Sequence, residues 1–279
     1  MGPFHDGECL VQQRAGVVDD AARYAGMLRR DAFTSAMAGF VADRRTVFIT
    51  ARDSTGTLWT SPISGAPGFC DAAGSALRIR EVGRVGDPLH GVARGQRAGF
   101  LLIDFAKRRR LRVNGMLVGA DDGGLEVAVE QVYGNCPKYI NPHVHEAPVG
   151  PAGLTSASSS LGAAAREVVA RANTFILGTT HPTCGPDTSH RGGSPGFVGI
   201  DGNELWWPDY AGNNLFNSLG NLVVDPEASM LIVDDAATVQ ISGTARIEWS
   251  CPQLRDDEPG TGKCVRLDVA SVVETTAIS

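Results

Sequence analysis

One stretch of this chain is written twice. Asp187-Thr-Ser-His-Arg-Gly-Gly-Ser-Pro-Gly-Phe-Val198, followed by Trp207-Pro-Asp-Tyr-Ala-Gly-Asn-Asn214, has an earlier echo in Ser61-Pro-Ile-Ser-Gly-Ala-Pro-Gly-Phe69. Other landmarks keep the same order. Gly86-Asp-Pro-Leu89 answers Gly212-Asn-Asn-Leu215, and Leu111-Arg-Val-Asn-Gly115 answers Val239-Gln-Ile-Ser-Gly243, all at offsets of 126 to 128 residues. Such a near-constant offset implies one module used twice, so any fold must be buildable in two similar halves.

The 279 residues suffice for two ordinary modules. Glycine (34) and proline (15) are abundant beside 6% aromatic residues, which suits many short elements joined by turns. A net charge of −6 provides no long-range attraction for nucleic acid. The one basic run, Lys107-Arg-Arg-Arg110, reads as a charged strand edge or a local anion contact. Six scattered cysteines without a Cys-x-x-Cys pair read as reduced thiols. With no signal-peptide pattern and no apolar run of membrane length, the expected place is cytoplasmic, with no membrane partner.

Residues 1–19 are expected to form an irregular lead-in, followed by a helix from Asp19-Asp20 through about Val41. Strand patterns follow at 46–51, 58–63, 76–79, 100–105, 111–118 and 125–132, with a helix start at Asp87-Pro-Leu89. A Pro- and Ser-rich stretch, 141–160, reads as a linker. A helix at 161–172 then leads into strands at 174–179, 196–200, 204–207, 230–233, 239–249 and 263–273, with a helix over 213–222. The domains are thus a first module at 20–140, a linker at 141–160 and a second module at 161–279. The fold class is mainly β, two antiparallel barrels with peripheral helices.

Three blocks carry a family resemblance: Ile103-Asp-Phe-Ala-Lys-Arg-Arg-Arg-Leu-Arg-Val-Asn-Gly115; Gln131-Val-Tyr-Gly-Asn-Cys-Pro-Lys-Tyr-Ile140; and the opening pair extended by Phe216-Asn-Ser-Leu-Gly-Asn-Leu222. They resemble the flavin-binding split-barrel superfamily related to pyridoxamine 5′-phosphate oxidase, in its two-module branch. The resemblance implies a six-stranded split barrel per module, packed as an intramolecular pseudo-dimer with flavin mononucleotide (FMN) at the junction. It also allows a further homodimer.

FMN needs cations or N–H donors for its phosphate, amides and hydroxyls for its ribityl chain, and close backbone for its ring. The second module carries these groups in order. Ser189, His190 and Arg191 offer hydroxyl, imidazole and guanidinium groups, and Gly192 with Gly193 permits close backbone approach. Pro208, Asp209, Tyr210, Asn213 and Asn214 match positions where the family places phosphate and ribityl contacts. A helix N-terminus there also favours an anion. Asn217 and Asn221 lie four apart on one helical face, and Gln240 matches a strand position that the family uses for the ring.

At the repeat offset the first module has Ile63 for Arg191, Pro62 for His190, Ser64 for Gly192, and Asp87-Pro88 for Asn213-Asn214. Isoleucine for guanidinium and a carboxylate near a phosphate both oppose anion binding. One competent site per chain follows, with Arg110, Arg112 and Asn114 as the facing wall. Asn135, Cys136, Lys138 and Tyr139 are candidates for lining the ligand space, although their segment also reads as a turn plugging the module interface.

His143-x-His145-Glu146 and His181-x-x-Cys184 lack a second ligand pair, so no metal is expected. The leading functional expectation is an FMN-dependent oxidoreductase acting on a small-molecule substrate, with His190 the most plausible proton-transfer group. The alternatives are a non-catalytic flavin-binding or redox-sensing protein, the same fold using F420 or haem, and a degenerate module serving as an interaction partner. Without the resemblance, the Asp, Asn and Gly residues would read first as turn formers and Ser189–Arg191 as an ordinary edge strand.

Overall fold

The computed structural model describes residues 2–142, 153, 155–234, 237–253 and 260–276, and the His143–Glu146 cluster and most of the expected linker lie outside these. The N-terminal region departs from expectation. It holds α1 (Asp6–Ala15), α2 (Val18–Ala22), a 3-10 turn (Ala25–Arg29) and α3 (Ser35–Ala42). Residues 1–19 are therefore not irregular, and the expected single helix is three short pieces. His5 caps α1: its Nδ1 accepts from Glu8 N at 3.4 Å, and Glu8 Oε2 accepts from His5 N at 2.9 Å. This is a capping box built on histidine, a residue the Ser/Thr pattern does not flag. Gly16, at φ 70°, ends α1 in the left-handed conformation, and Thr34 caps α3.

The first sheet comprises β1 (Thr46–Arg52), β2 (Leu58–Ser64), β3 (Cys70–Ala73), β4 (Ala76–Ile79), β5 (Arg97–Asp104), β6 (Arg109–Asp121) and β7 (Gly124–Gly134). After β8 (Thr155–Ser158) and α4 (Ala163–Arg171), the second comprises β9 (Thr174–His181), β10 (Gly185–Gly192), β11 (Gly199–Asp201), β12 (Glu204–Tyr210), β13 (Glu227–Val233), β14 (Ala237–Glu248) and β15 (Gly260–Thr276). Helix α5 (Asn217–Val224) lies between β12 and β13. The spatial orders are β2-β1-β5-β6-β7-β4-β3 and β10-β9-β13-β14-β15-β12-β11, one antiparallel topology twice.

Even register is kept: Ile49 faces Ser61 as Leu177 faces Ser189, each 128 residues on. The shared Pro-Gly-Phe serves this frame. Gly68 (φ 87°) and Gly196 (φ 80°) turn the chain. Phe69 then packs so close to Gly65, and Phe197 to Gly193, that a Cβ on either glycine would lie 2.6 Å from the ring.

The halves differ at one element. No helix forms at Asp87-Pro-Leu89, where Gly86, Gly91 and Gly95 all adopt positive φ and leave only turns. Its counterpart α5 does form, but from Asn217 rather than 213, because Asn214 and Phe216 take positive φ. β3 and β8 were not expected as strands, and β10 only at Ser189–Arg191, as the alternative edge-strand reading. β10 is polar along most of its length, so alternation does not reveal it, and β8 pairs with β15 inside the stretch expected as linker.

Each sheet encloses its own apolar core, and a third cluster, Phe48, Leu101, Ile103, Ile140, Ile176 and Leu231, joins the modules. Burying each such side chain stabilises by roughly 1.5–3 kcal/mol, enough to fix the modules against each other. Beside this seam a buried hydroxyl ladder crosses the junction: Thr188 Oγ1 to Thr50 Oγ1 (2.8 Å), Thr50 to Thr60 (2.9 Å) and Thr60 to Ser229 (2.6 Å). Cys251 and Cys264 are paired as a disulfide, Cα to Cα 5.6 Å, so the reading of all six cysteines as thiols does not hold for this pair. Among the described residues no helix is long and apolar enough to cross a membrane.

Candidate functional site

A cleft opens where the end of β10, the end of β12 and the start of α5 face β6 and the segment after β7 of the first module. The second module contributes Ser189, His190, Arg191, Gly192, Pro208, Asp209, Tyr210, Asn213, Asn214 and Asn217. The first contributes Arg110, Arg112, Asn135, Cys136, Lys138 and Tyr139. Residues 77 to 105 positions apart in sequence thus meet across the junction.

Three expected residues point elsewhere. Asn221 is buried and donates to Thr179 Oγ1 at 2.9 Å. Asn114 donates to Gln131 Oε1 and lines a separate cavity beneath α1. Gln240 donates to Thr60 O (3.1 Å), Ser61 Oγ (2.8 Å) and Asp87 Oδ2 (3.1 Å) in the first module. The apolar wall, including Phe197, Trp207, Phe216 and Leu219, escaped the expected set because those residues read as barrel core or helix face. The block Phe216-Asn-Ser-Leu that carries the resemblance was a usable signal for part of it.

Arg112 is the buried hub. Its Nη1 donates to Tyr133 Oη (3.2 Å), Asp187 Oδ2 (3.2 Å) and Asn217 Oδ1 (3.3 Å), and its Nη2 to Ser189 Oγ. Burial alone would depress its pKa, but Asp187 and Tyr133 hold the charge and raise it. The same burial, reinforced by Asp187, pushes the Tyr133 phenol upward, keeping it a neutral donor.

Arg110 donates to His190 Nδ1 (3.0 Å) and to the Cys136 carbonyl (2.7 Å). Burial and its arginine neighbours Arg112 and Arg191 push it down to about 9, which leaves it charged at neutral pH. His190 is held well below its ordinary value by burial and by Arg110, Arg191 and Arg112. A guanidinium can only donate, so His190 Nδ1 accepts, and the neutral ring carries its proton on Nε2, 3.5 Å from Thr174 Oγ1.

Arg191 makes no hydrogen bond among the described residues, while burial lowers its pKa and Asp209 partly offsets this. Asp209 is held by Thr261 Oγ1 at 2.8 Å and Lys263 Nζ at 3.6 Å. The buried Nε atoms of Arg110, Arg112 and Arg191, and Ser218 Oγ, all in this cleft, lack hydrogen-bond partners. Buried polar groups are normally satisfied, so four donors in one cleft match an anionic, oxygen-rich ligand. The first turn of α5 adds backbone N–H groups with no intrahelical partner.

The cleft's rim is set by close backbone approach. A Cβ on Gly192 would lie 2.1 Å from the Tyr139 carbonyl oxygen. Tyr139 packs against Tyr210 with ring centroids 5.1 Å apart and planes tilted by 31°, and donates to the Ala211 carbonyl at 3.0 Å. Asn135 Oδ1 accepts from Asn213 Nδ2 at 2.5 Å, tying the modules together beside α5.

Residues 161–258 match the family described as Pyridoxamine 5'-phosphate oxidase. Among solved structures, an FAD-binding protein from Mesorhizobium loti is 14% identical, with 45% of this chain and 99% of that one covered at a TM-score of 0.32. A conserved hypothetical protein from Mycobacterium tuberculosis is 20% identical, covering 40% and 84% at 0.30. The haem storage protein HutZ from Vibrio cholerae is 13% identical, covering 40% and 89% at 0.28. A search of curated proteins finds no match.

Proposed function

We propose that this chain, whose residues 161–258 match the pyridoxamine 5′-phosphate oxidase family, is a tandem split barrel that binds FMN in the junction cleft as an oxidoreductase for a small molecule. The observation that carries this reading is Arg191, a guanidinium without a hydrogen-bond partner among the described residues, beside the start of α5. Arg191 and the first turn of α5 would hold the phosphate. Ser189, Asn213 and Asn217 would meet the ribityl hydroxyls, and the wall of Trp207 and Phe216 would shield the ring from water. Bound FMN supplies the electron-transfer chemistry.

In this reading His190 positions rather than transfers a proton. Its Nδ1 takes Arg110's hydrogen bond and its Nε2 faces Thr174, so it aims Arg110 into the cleft. The same engagement disfavours His190 as an axial haem ligand, because both its nitrogens already face partners. One site per chain is proposed, because the equivalent place in the first module satisfies itself. Asp87 accepts from Ser61 Oγ (2.6 Å), Leu89 N (2.8 Å) and Gln240. The visible spectrum of the purified protein, before and after adding FMN, F420 or haem, tests the proposal. A flavin spectrum at one equivalent per chain is expected, and a protein that binds none of the three refutes it. Substrate-dependent reduction or reoxidation of the flavin separates an enzyme from a sensor.

A further inference from the structure

We infer that the N-terminal helix backs the cofactor cleft and that Glu8 is its positioning residue, acting on the cleft through Asn217 and Arg112. The inference rests on reading the cleft as the flavin site. Helix α1 lies far from the second module in sequence but packs directly on α5. A Cβ on Gly7 would fall 2.1 Å from Gly220 O, and one on Gly220 would fall 2.6 Å from Glu8 N, so the two helices cross with backbones in contact. Val11 is fully buried in the second module's core, and Gln12 Nε2 donates to Leu215 O at 3.1 Å.

This crossing delivers Glu8, a residue only 3% exposed, to a cavity behind the cleft, with Asn217 lining both. Two donors converge on its two oxygens: His5 N on Oε2 at 2.9 Å and Asn217 Nδ2 on Oε1. With its amide nitrogen held by Glu8, Asn217 must turn Oδ1 toward Arg112 Nη1, where it accepts at 3.3 Å. An ionised carboxylate fits both donors because it only accepts. A protonated acid has lost the charge that strengthens both bonds, and a proton on Oε1 competes with Asn217 Nδ2, so the bond that fixes which end of the Asn217 amide faces Arg112 is weakened. The titratable groups around Glu8 are His5, whose Nε2 lies 3.6 Å from Oε2 but which burial and His181 push down to about 4 and so leave neutral near pH 7, with Asp187 and Arg112 beyond Asn217. Burial first, then Asp187, pushes the Glu8 carboxyl up to about 7, so this orientation is set and released near neutral pH.

The test compares the full chain with Glu8→Gln, a close shape match that stays neutral. The ratio of their FMN dissociation constants is followed by flavin fluorescence across pH, so that the cofactor's own ionisation cancels. Well above a midpoint near 7 the variant should bind about tenfold more weakly, and well below it the two should converge. A ratio that does not vary with pH overturns the inference, since a merely structural role would shift it equally everywhere. In parallel, the Asn217 side-chain amide resonances of the flavin-free chain should titrate with that midpoint in the wild type and stay flat in Glu8→Gln. A flat wild-type titration overturns the inference whether or not FMN binds or the variant folds. Absence of FMN binding by the wild type would instead defeat the flavin reading, and the amide titration would still decide the role of Glu8.

Discussion

Arg112 and Gln240 hold the same strand position in the two copies, and each reaches out of its own sheet into the other module. Arg112 meets Ser189, Asp187 and Asn217; Gln240 meets Ser61 and Asp87, the repeat counterparts of Ser189 and Asn213. The pseudo-dimer therefore builds two equivalent junctions and gives them different fates. Around Arg112 lies a cleft with unsatisfied cationic donors. Around Gln240 a carboxylate, an amide and a hydroxyl satisfy one another.

Arg191 should be the residue whose loss most weakens anion binding. Arg191→Ala is expected to cost about 2 kcal/mol of FMN affinity, roughly thirtyfold, the value of a hydrogen bond to a charged group. Ile63→Ala, at the counterpart position, should leave affinity within twofold because nothing there presents a cation. Equal losses in a fluorescence titration would refute the one-site assignment.

Arg112 should matter to folding as well as to the cleft. Arg112→Met leaves Asp187 buried without its cation and is expected to destabilise by about 3–5 kcal/mol in denaturant unfolding. Adding Asp187→Leu should recover much of that stability, because the unpaired charge is then gone, but not cofactor binding. If the single variant is as stable as wild type, Asp187 has another partner.

The repeat made the architecture legible: strand order and register recur at the offset read from Ser61 and Ser189. Ser189, His190, Arg191 and Gly192 pointed to the cleft only beside the resemblance, because the same residues suit an ordinary edge strand, which β10 also is. Asn221 and Gln240 were misplaced for a physical reason. Both sit one layer away from the cleft, and spacing along a helix or strand does not say which layer a side chain enters. Glu8 was invisible for a different reason. Its role arises from a helix crossing set by Gly7 and Gly220, a contact across 213 residues that no local pattern encodes.

Gly192→Ala should act on the cleft through backbone alone. The new Cβ would lie 2.1 Å from the Tyr139 carbonyl, so the segment carrying Asn135–Tyr139 must shift. A loss of about 1–3 kcal/mol in stability, with weaker FMN binding, is expected. Gly134→Ala, whose Cβ meets nothing within 4 Å, is the control and should be near neutral on both measures.

Glu8 sets a trade between stability and function. Its folded pKa of about 7 lies above the ordinary 4.5, so between those values the folded chain keeps a proton that the unfolded chain has released. Its contribution to stability is thus full below 4.5, declines as pH rises to about 7, and is flat beyond. The shift corresponds to roughly 3 kcal/mol at most. Glu8→Gln cannot ionise, so it should unfold at higher denaturant than wild type above pH 7 and at the same concentration below 4.5. Stability curves that stay parallel across this window would show that Glu8 titrates alike in both states. If they diverge as expected while the variant binds flavin less well, the chain retains a buried charge that weakens the fold because that charge orients Asn217.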